Sequence, residues 1–284
     1  MRFIRFVSAG AIRFGLLEGT SVRAFPLEVA SLADYLSYGG AERAALGTEA
    51  AGSIDDVELM APVNPRKNVF CVGRNYLGHA EEISRARGTP LKLPDVPTFF
   101  TKAPTAIAAP GATLHLSAAV SSEYDWEAEL AVVIGERCRD VPEGDALNVV
   151  FGYTALNDVT ARDLQRAHIQ WFKGKSLDDT CPIGPWIVSA DEIGDPQSLD
   201  IGIRIDGETK QASNTSQMIF GVAKIIASLS SGMTLEPGDV IATGTPDGVG
   251  FARTPPEFLR NGSKLEVEIA KIGVLRNVVA LAPA

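Results

Sequence analysis

The sequence predicts a β-dominated α+β protein. Segments typical of strands outnumber those typical of helices, and their order does not alternate between strand and helix. The 27 glycines and 17 prolines fit a chain with many short strands joined by turns. A length of 284 residues with 45% hydrophobic residues allows about two folded domains. We expect a small N-terminal α+β subdomain over residues 1–64 and a larger domain over residues 65–284.

The first 64 residues predict a hairpin and a short helix. Residues 3–7 and 12–16 are strand-like, and Ser8-Ala9-Gly10 between them predicts a turn. Residues 31–38 predict a helix that ends at Gly39-Gly40. Residues 62–65, Pro-Val-Asn-Pro, form a plausible boundary loop. No set of residues before this boundary carries obvious chemistry, so we interpret the segment as accessory.

The larger domain predicts mainly strands. Residues 83–97 predict a long surface loop, because they are charged and lack a sustained apolar period, and loops of this length often form lids. Residues 124–134 predict a strand that enters the core, because alternation gives way to a continuous apolar run. The other predicted elements are strands over 69–73 and 149–154, a helix that starts within 158–165, a hairpin from 201–205 through Asp206-Gly207, a helix over 215–229 with a stop at Gly232, and strands over 235–243 and 265–281.

Composition excludes several partners. The net charge of −9 disfavours nucleic acid, since the bulk surface repels phosphate. No apolar run is long enough for a membrane span, and arginines interrupt the apolar N-terminus where a signal sequence would need continuity. The three cysteines lie far apart, which suits a reducing compartment and predicts a cytoplasmic protein. Only three histidines are present, so a histidine-rich metal site would need nearly all of them, which disfavours such a site.

An acidic row marks the strand over residues 124–134. Because side chains alternate along a strand, Asp125, Glu127 and Glu129 are expected on one face at intervals of about 7 Å. A hard divalent cation would relieve their repulsion, since Mg²⁺ and Mn²⁺ prefer oxygen ligands. A solvent-facing acidic stripe on an edge strand explains the spacing equally well.

A second acidic position follows the apolar strand over residues 149–154. Asp158 stands at a predicted strand-to-helix junction, where a carboxylate can bind a metal or cap the helix. Arg162, one helical turn further on, could also pair with Asp158. Together with Glu127 and Glu129, Asp158 would complete three carboxylates, enough to hold one octahedral ion with open positions.

His79 and Glu82 have the i,i+3 spacing that places both on one face of a helical turn. A carboxylate beside a histidine orients the ring and raises its basicity, which suits a general base. A surface pair on a helix is the alternative. The position of the pair at the start of the predicted lid favours the functional interpretation.

Two further motifs suggest anion contacts. Lys173-Gly174-Lys175-Ser176 resembles the end of a phosphate-binding loop, but Ile169 stands where the earlier glycine is required. Two interpretations of this motif remain: a lysine that contacts an oxyanion, and a plain surface lysine. Residues 243–250, Thr-Gly-Thr-Pro-Asp-Gly-Val-Gly, lack the order of a dinucleotide site and suggest a backbone and hydroxyl clamp on a carboxylate.

The ordered set of motifs resembles the fumarylacetoacetate hydrolase family, in particular its shorter bacterial members such as acylpyruvate hydrolases and oxaloacetate decarboxylases. The resemblance runs from about residue 68 to residue 277. It rests on Val72-Gly73-Arg74-Asn75-Tyr76 with His79 and Glu82, Phe100-Thr101-Lys102, Tyr124-Asp125-Trp126-Glu127-Ala128-Glu129, Asn157-Asp158-Val159-Thr160-Ala161-Arg162-Asp163, Gly174-Lys175-Ser176, Pro237-Gly238-Asp239 and Thr243-Gly244-Thr245-Pro246.

This resemblance implies a mixed β-sandwich roll, a homodimer, and Mg²⁺ or Mn²⁺ held by Glu127, Glu129 and Asp158. It implies that His79 and Glu82 form a catalytic dyad on a lid, with Lys175 beside an oxyanion. The substrate contacts that it implies are Thr245, Gln165, Arg74 and Lys102.

The implied reaction is metal-dependent hydrolysis of a carbon–carbon bond in a small acylpyruvate, an anionic 2-oxo acid. Cleavage leaves an enolate, whose charge the ion and Lys175 would stabilise. Decarboxylation of an oxaloacetate-type acid passes through the same enolate without an attacking water. An isomerase or hydratase on related acids would use the same site, and a binding homologue that has lost catalysis is the alternative outside enzymes.

Overall fold

The computed structural model describes residues 1–284. Its nineteen strands are, in chain order, β1 (Arg2–Ser8), β2 (Ala11–Glu18), β3 (Ser21–Ala24), β4 (Glu49–Ser53), β5 (Glu58–Met60), β6 (Val69–Gly73), β7 (Thr98–Lys102), β8 (Ile107–Ala108), β9 (Thr113–Ser117), β10 (Tyr124–Asp125), β11 (Ala128–Ile134), β12 (Val150–Asn157), β13 (Thr160–Ala161), β14 (Cys181–Ser189), β15 (Asp200–Ile205), β16 (Glu208–Asn214), β17 (Val240–Ala242), β18 (Lys264–Ile269) and β19 (Gly273–Ala282).

The helices are fewer and short. They are α1 (Leu32–Ser37), α2 (Gly40–Ala45), α3 (Leu77–Arg87), α4 (Arg162–Ala167), α5 (Phe172–Lys175), α6 (Ala190–Ile193) and α7 (Val222–Ser230), with short 3₁₀ turns between elements. The predicted β-dominated α+β class is therefore confirmed. None of these helices combines the length and the apolarity needed to cross a bilayer.

One twelve-stranded mixed sheet runs through most of the molecule. Its order is β4-β3-β2-β1-β14-β12-β11-β17-β6-β7, with β5 and β8 paired to β1 and β14. The N-terminal strands join the rest through antiparallel pairing of β1 with β14, where Phe3 faces Ile187. Residues 1–64 thus share a sheet with the larger segment, and their division into two domains stays a prediction.

A five-stranded sheet, in the order β16-β15-β18-β19-β9, packs against this large sheet. The main core fills the space between them, with Leu130 and Val132 from β11 beside Ile203 from β15. Ala131 and Val133, on the opposite face of β11, belong to a second core that includes the N-terminal aromatic residues. Every residue of β11 is buried, because both faces of this strand are covered.

The N-terminal hairpin and first helix confirm the sequence prediction. β1 and β2 pair along their whole length, and Ser31 caps α1 by accepting from the backbone N–H of Asp34. Helix α2 was not predicted, because Gly39-Gly40 indicated a stop. Tyr35 from α1 packs against Phe3, Phe14 and Phe25, which anchors this segment to the second core.

The predicted loop over residues 83–97 is wrong in its first part. Helix α3 continues to Arg87 and ends at Gly88, whose φ of 60° is in the left-handed region that favours glycine. The apolar period of α3 is weak, so straight-chain residues such as Glu81 and Arg85, an i,i+4 ion pair, favour the helix instead. Residues 88–97 form the remaining loop.

The predicted strand over residues 124–134 is interrupted. β10 and β11 are separate, and between them the N–H of Trp126 donates to Asp125 Oδ1 at 2.8 Å. The N–H of Glu127 donates to Asn157 Oδ1 at 3.0 Å. Side-chain acceptors therefore replace the neighbouring strand at these two residues, which a period-of-two pattern does not show.

Three other predicted elements differ from their expected bounds. Helix α4 begins at Arg162, within the predicted range of 158–165, whereas α7 begins at Val222 rather than at Thr215. The strand over residues 235–243 is confined to β17, and the segment over 265–281 is a hairpin of β18 and β19 rather than one strand. The predicted hairpin at Asp206-Gly207 is confirmed.

Candidate active site

Three carboxylates meet where β11 and β12 pair. Glu127 immediately precedes β11, Glu129 is its second residue, and Asp158 immediately follows β12. Ala128 faces Asn157 across the pair, and the N–H of Asp158 donates to the carbonyl oxygen of Glu127 at 2.9 Å. One ligand oxygen from each carboxylate lies within 4.8 Å of the others, and all three residues are buried. A solvent-facing acidic stripe is therefore the wrong interpretation of this row.

Asp125 belongs to a different contact set from the three carboxylates. Its oxygens accept from the backbone N–H groups of Gly250 and Phe251 at 2.7 and 3.0 Å and from Arg162 Nε at 2.8 Å. The interruption after β10 thus separates Asp125 from Glu127, which a continuous strand would have placed on the same face. The suggested pairing of Arg162 with Asp158 is wrong, because Arg162 contacts Asp125 and Glu127.

Three buried cations balance the carboxylates. Lys175 Nζ donates to Glu127 Oε2 at 2.7 Å and to Asp158 Oδ2 at 2.6 Å. Lys102 Nζ donates to Asp158 Oδ1 at 2.7 Å and to the carbonyl oxygen of Val159 at 3.1 Å. Arg162 Nη2 lies 2.7 Å from Glu127 Oε1 as an ion pair without hydrogen-bond geometry. Both oxygens of Asp158 are therefore occupied by ammonium groups.

The charges of this cluster are unevenly compensated. Burial raises the pKa of Glu127, but Lys175 and Arg162 outweigh it and bring the pKa to about 2. Burial and the neighbouring carboxylates of Asp158 and Glu127 raise the pKa of Glu129 well above its usual range. Burial opposes the charge of Lys175, yet Asp158 and Glu127 raise its pKa. The cluster therefore favours a charged Glu127 and disfavours a charged Glu129.

This donor set fits a hard divalent cation. All of the converging ligand atoms are carboxylate oxygens, which Mg²⁺ and Mn²⁺ prefer. A cation among them would also relieve the repulsion that disfavours the charged form of Glu129. The structure thus provides an acidic site for a divalent ion, and Mg²⁺ or Mn²⁺ stays our prediction for its identity.

His79 and Glu82 form the predicted pair on helix α3. His79 Nδ1 lies 3.2 Å from Glu82 Oε2, and Glu82 Oε1 accepts from the backbone N–H of Gly248 at 2.9 Å. Both carboxylate oxygens of Glu82 are thereby engaged, so the ring of His79 is held from one side. His79 is buried at the cleft, with Nε2 as the ring nitrogen left for another partner.

One narrow cleft brings most of the predicted residues together. The predicted site residues that line it are Glu127, Glu129, His79, Lys175, Thr245, Gln165 and Arg74. Lys102 and Asp158 are fully buried behind this surface, and Glu82 stands behind His79. The catalytic and substrate-binding roles assigned from the resemblance stay predictions.

The cleft also contains residues that the sequence analysis missed. Arg87 and Ile83 follow His79 at successive four-residue steps on α3, so all three line the cleft. Recognising that residues 83–87 are helical would have revealed this face. Phe100 lies two residues before Lys102 on β7, and Trp171 packs edge-on against it, with ring centroids 5.3 Å apart. Only the tertiary fold brings Trp171 to the cleft.

The comparisons with known proteins agree with this fold. Residues 68–280 match the family model described as fumarylacetoacetate (FAA) hydrolase C-terminal, and residues 1–62 match the model described as Rv2993c-like, N-terminal. The chain belongs to the fumarylacetoacetate hydrolase family, a family of enzymes, which confirms the resemblance seen in the sequence.

Similar relatives carry names that refer to tautomerisation. The chain is 46% identical over 228 residues to oxaloacetate tautomerase YisK of Bacillus subtilis, covering 80% of this chain and 74% of the relative. It is 42% identical over 226 residues to mitochondrial oxaloacetate tautomerase FAHD2A of Homo sapiens, covering 79% and 70%.

Solved structures extend the similarity to nearly the whole chain. A fumarylacetoacetate hydrolase from Exiguobacterium antarcticum is 39% identical with a TM-score of 0.86, covering 99% of both chains. A 2-hydroxyhepta-2,4-diene-1,7-dioate isomerase from Mycobacterium marinum is 34% identical with a TM-score of 0.81, covering 99% of this chain and 98% of the other.

Proposed function

We propose that this protein is a divalent-metal-dependent enzyme that interconverts the keto and enol forms of a small 2-oxo acid of the oxaloacetate type. The observation that carries the proposal is the meeting of three buried carboxylates, Lys175 and the His79–Glu82 pair at one cleft. The names of the similar tautomerases and isomerase support this reaction type over others available to the same residues.

The charge distribution around the cleft supports an anionic substrate. Arg74 and Arg87 line it, and burial together with Arg74, Arg162 and Arg166 lowers the pKa of Arg87. An anion among these cations would relieve their mutual repulsion. A net charge of −9 for the whole chain does not prevent binding, because the local field of a cleft decides attraction.

Glu127, Glu129 and Asp158 would hold the ion. When bound, a divalent ion withdraws electron density from the ketone and carboxylate oxygens of a 2-oxo acid and so acidifies the neighbouring carbon. Lys175 already directs its ammonium group at Glu127 and Asp158. If the ion neutralised those carboxylates, the ammonium group of Lys175 would be available to stabilise the negative charge that develops on the substrate ketone oxygen.

His79 is the proposed proton carrier. Because Glu82 engages Nδ1, Nε2 is the nitrogen that can take a proton from the carbon next to the ketone. Protonation of the resulting enolate on oxygen gives the enol, and protonation on carbon returns the ketone. No bond between heavy atoms breaks, so the reaction needs no water and no further reactant.

Hydrolysis of an acylpyruvate is the second candidate. The same Nε2 could take a proton from water, which would attack the distal carbonyl. The carbon–carbon bond would then break toward the enolate of pyruvate, which takes up a proton, and a carboxylic acid would leave. Decarboxylation would reach the same enolate by loss of carbon dioxide without an attacking water.

The test is to follow the loss of enol absorbance from freshly dissolved oxaloacetate with purified protein and Mg²⁺. Protein-free solution with the same Mg²⁺ provides the background rate, and release of pyruvate reports decarboxylation in the same sample. We expect enol–keto conversion well above background without stoichiometric pyruvate. Conversion at the background rate, with turnover of acylpyruvates instead, would replace the first candidate by hydrolysis.

A further inference from the structure

Gln211 connects the five-stranded sheet to the candidate active site. It lies on β16, is 2% exposed, and reaches the loop that carries Thr245. Its Nε2 donates to Thr245 Oγ1 at 2.8 Å and to the carbonyl oxygen of Pro246 at 2.7 Å. Its Oε1 accepts from the backbone N–H of Ala128 at 2.9 Å. One buried side chain therefore contacts two segments of the site.

The contacts fix the orientation of this amide. The N–H of Ala128 can only donate, and the carbonyl of Pro246 can only accept. Rotation of the amide by 180° would place oxygen against oxygen and nitrogen against N–H, with two buried groups left unpaired. The second hydrogen on Nε2 must consequently point at Thr245 Oγ1.

The direction of this hydrogen bond determines what the Thr245 hydroxyl can do. A hydroxyl has one hydrogen, and the Thr245 oxygen is already the acceptor from Gln211. Its own hydrogen is free to point elsewhere, and Thr245 lines the cleft while being only 3% exposed. The hydroxyl is thus set up as a donor toward a ligand in the cleft.

We propose that Gln211 is a positioning residue that orients the Thr245 hydroxyl as a hydrogen-bond donor to an anionic oxygen of the substrate. The inference rests on the proposed function, because it assigns an anionic 2-oxo acid to the cleft. Gln211 does not contact the reacting atoms and acts only through Thr245. A donor fixed before binding loses little freedom when the substrate arrives.

The contact with Ala128 gives the same side chain a second geometric effect. Ala128 stands between Glu127 and Glu129, so the amide of Gln211 joins the proposed metal-binding segment to the Thr245 loop. This link holds the hydroxyl at a constant position relative to the carboxylates. A test must therefore separate the orientation of the hydroxyl from the integrity of the metal site.

Gln211→Glu makes that separation. A carboxyl group of the same shape still accepts from the N–H of Ala128, but the oxygen that replaces Nε2 carries at most one hydrogen, which the carbonyl oxygen of Pro246 can accept, so Thr245 Oγ1 loses its donor. The Thr245 hydroxyl would then donate to position 211 and turn away from the cleft. Gln211→Met, which is uncharged, checks the result if the buried carboxylate prevents folding. Gln217→Glu is the matched control, since it makes the same change at an exposed position.

The experiment measures oxalate binding by calorimetry in saturating Mg²⁺, and Mg²⁺ binding alone, because planar oxalate mimics the enolate of a 2-oxo acid. We expect Gln211→Glu and Thr245→Val each to weaken oxalate binding about tenfold or more, the loss of one hydrogen bond to a charged group. Mg²⁺ affinity should stay within about threefold of wild type. Gln211→Glu or Gln211→Met should add little in the Thr245→Val background, because coupled residues are not additive.

Equal weakening of oxalate binding by the position-211 changes with and without the Thr245 hydroxyl would overturn the proposal. Loss of Mg²⁺ binding in Gln211→Glu would also overturn it, since the effect would then act through Ala128. A different outcome would be non-additive effects of the changes at positions 211 and 245 on oxalate binding, together with no turnover of any 2-oxo acid by the wild-type protein. That result would contradict the proposed function and leave the positioning role intact.

Discussion

Two groups of ion pairs in this molecule use the same chemical groups in opposite environments. In the cleft, Lys175 pairs with Glu127 and Asp158, and these side chains are at most 7% exposed. On the five-stranded sheet, Arg204 pairs with Glu266 and Glu268, and these side chains are 27–52% exposed. Distances alone do not distinguish the groups, since both contain contacts of 2.7 Å.

The difference lies in what removal of one partner would cost. The outer pairs join neighbouring strands, with Glu266 directly opposite Arg204 and Glu268 on the diagonal, and water can replace either partner. In the cleft, a partner that loses its ion pair stays buried and charged. Each buried charge therefore depends on its partner, because water cannot replace that partner. A function that requires strong local charge is expected at the buried group.

Metal removal should have the largest effect and would separate the two groups by function. We expect a chelator to abolish activity and Mg²⁺ or Mn²⁺ to restore it, with no specific restoration by Zn²⁺, because the donor set is entirely oxygen. Activity assays before and after dialysis against chelator check this. Full activity in metal-free protein would contradict a metal role for the buried carboxylates.

His79→Ala should lower turnover by about 10²–10⁴-fold, the usual contribution of a general base. Metal affinity should not change, because His79 is not a proposed ligand. His115→Ala, an exposed histidine, is the matched control. Parallel assays of tautomerisation, acylpyruvate hydrolysis and decarboxylation of oxaloacetate would sharpen the result, since decarboxylation needs no base and should decline least. Unchanged rates in all three would leave the pair a structural contact.

Two carboxylate substitutions in the cleft should affect the free energy of unfolding differently. Asp158→Ala leaves the ammonium groups of Lys102 and Lys175 short of a partner, so we expect a loss of about 3–5 kcal/mol in the free energy of unfolding. Glu129→Gln removes a charge whose burial and carboxylate neighbours raise its pKa, so metal-free stability should hold or rise.

Denaturant unfolding of metal-free protein measures both changes, with Asp178→Ala at an exposed position as control. Like-charge repulsion alone would predict that any of the three carboxylates can be removed without loss. Equal stability of Asp158→Ala and Glu129→Gln would support repulsion alone and contradict the dependence of the buried lysines on Asp158.

The sequence predicted which carboxylates meet in the cleft better than it predicted the course of the strand that carries them. Glu127, Glu129 and Asp158 were recognised because the ordered motifs carry them, and the family is confirmed. The break at Trp126 and Glu127 was missed, because it depends on side-chain acceptors, one of which, Asn157 Oδ1, comes from elsewhere in the chain. Local periodicity contains no information about a partner 30 residues away.

The same limit explains why the end of helix α3 and the role of Gln211 in the fold were not predicted. Helix α3 continues to Arg87 because it packs against the cleft and its long side chains tolerate a helix, whereas its apolar pattern is weak. Gln211 lies in a predicted hairpin with nothing local to mark it. Its three contacts, to Ala128, Thr245 and Pro246, exist only after the two sheets pack together.

Disruption of the outer ion pairs should have the smallest effect. Arg204 and Arg276 lower the pKa of Glu266, whose side chain is 27% exposed, and exposed pairs contribute about 0.2–1 kcal/mol. We therefore expect Glu266→Gln to cost less than about 1 kcal/mol at neutral pH and to leave activity unchanged.

A carboxyl with a lowered pKa stabilises the fold above its unfolded-state pKa and loses that contribution as the pH falls through its lower folded-state value. The difference between Glu266→Gln and wild type should accordingly shrink at pH values below about 4, and high salt should reduce it at neutral pH. Urea unfolding at several pH values and salt concentrations measures the effect. A loss as large as that of Asp158→Ala, or one insensitive to salt, would show that exposure is not what separates the two groups of charges.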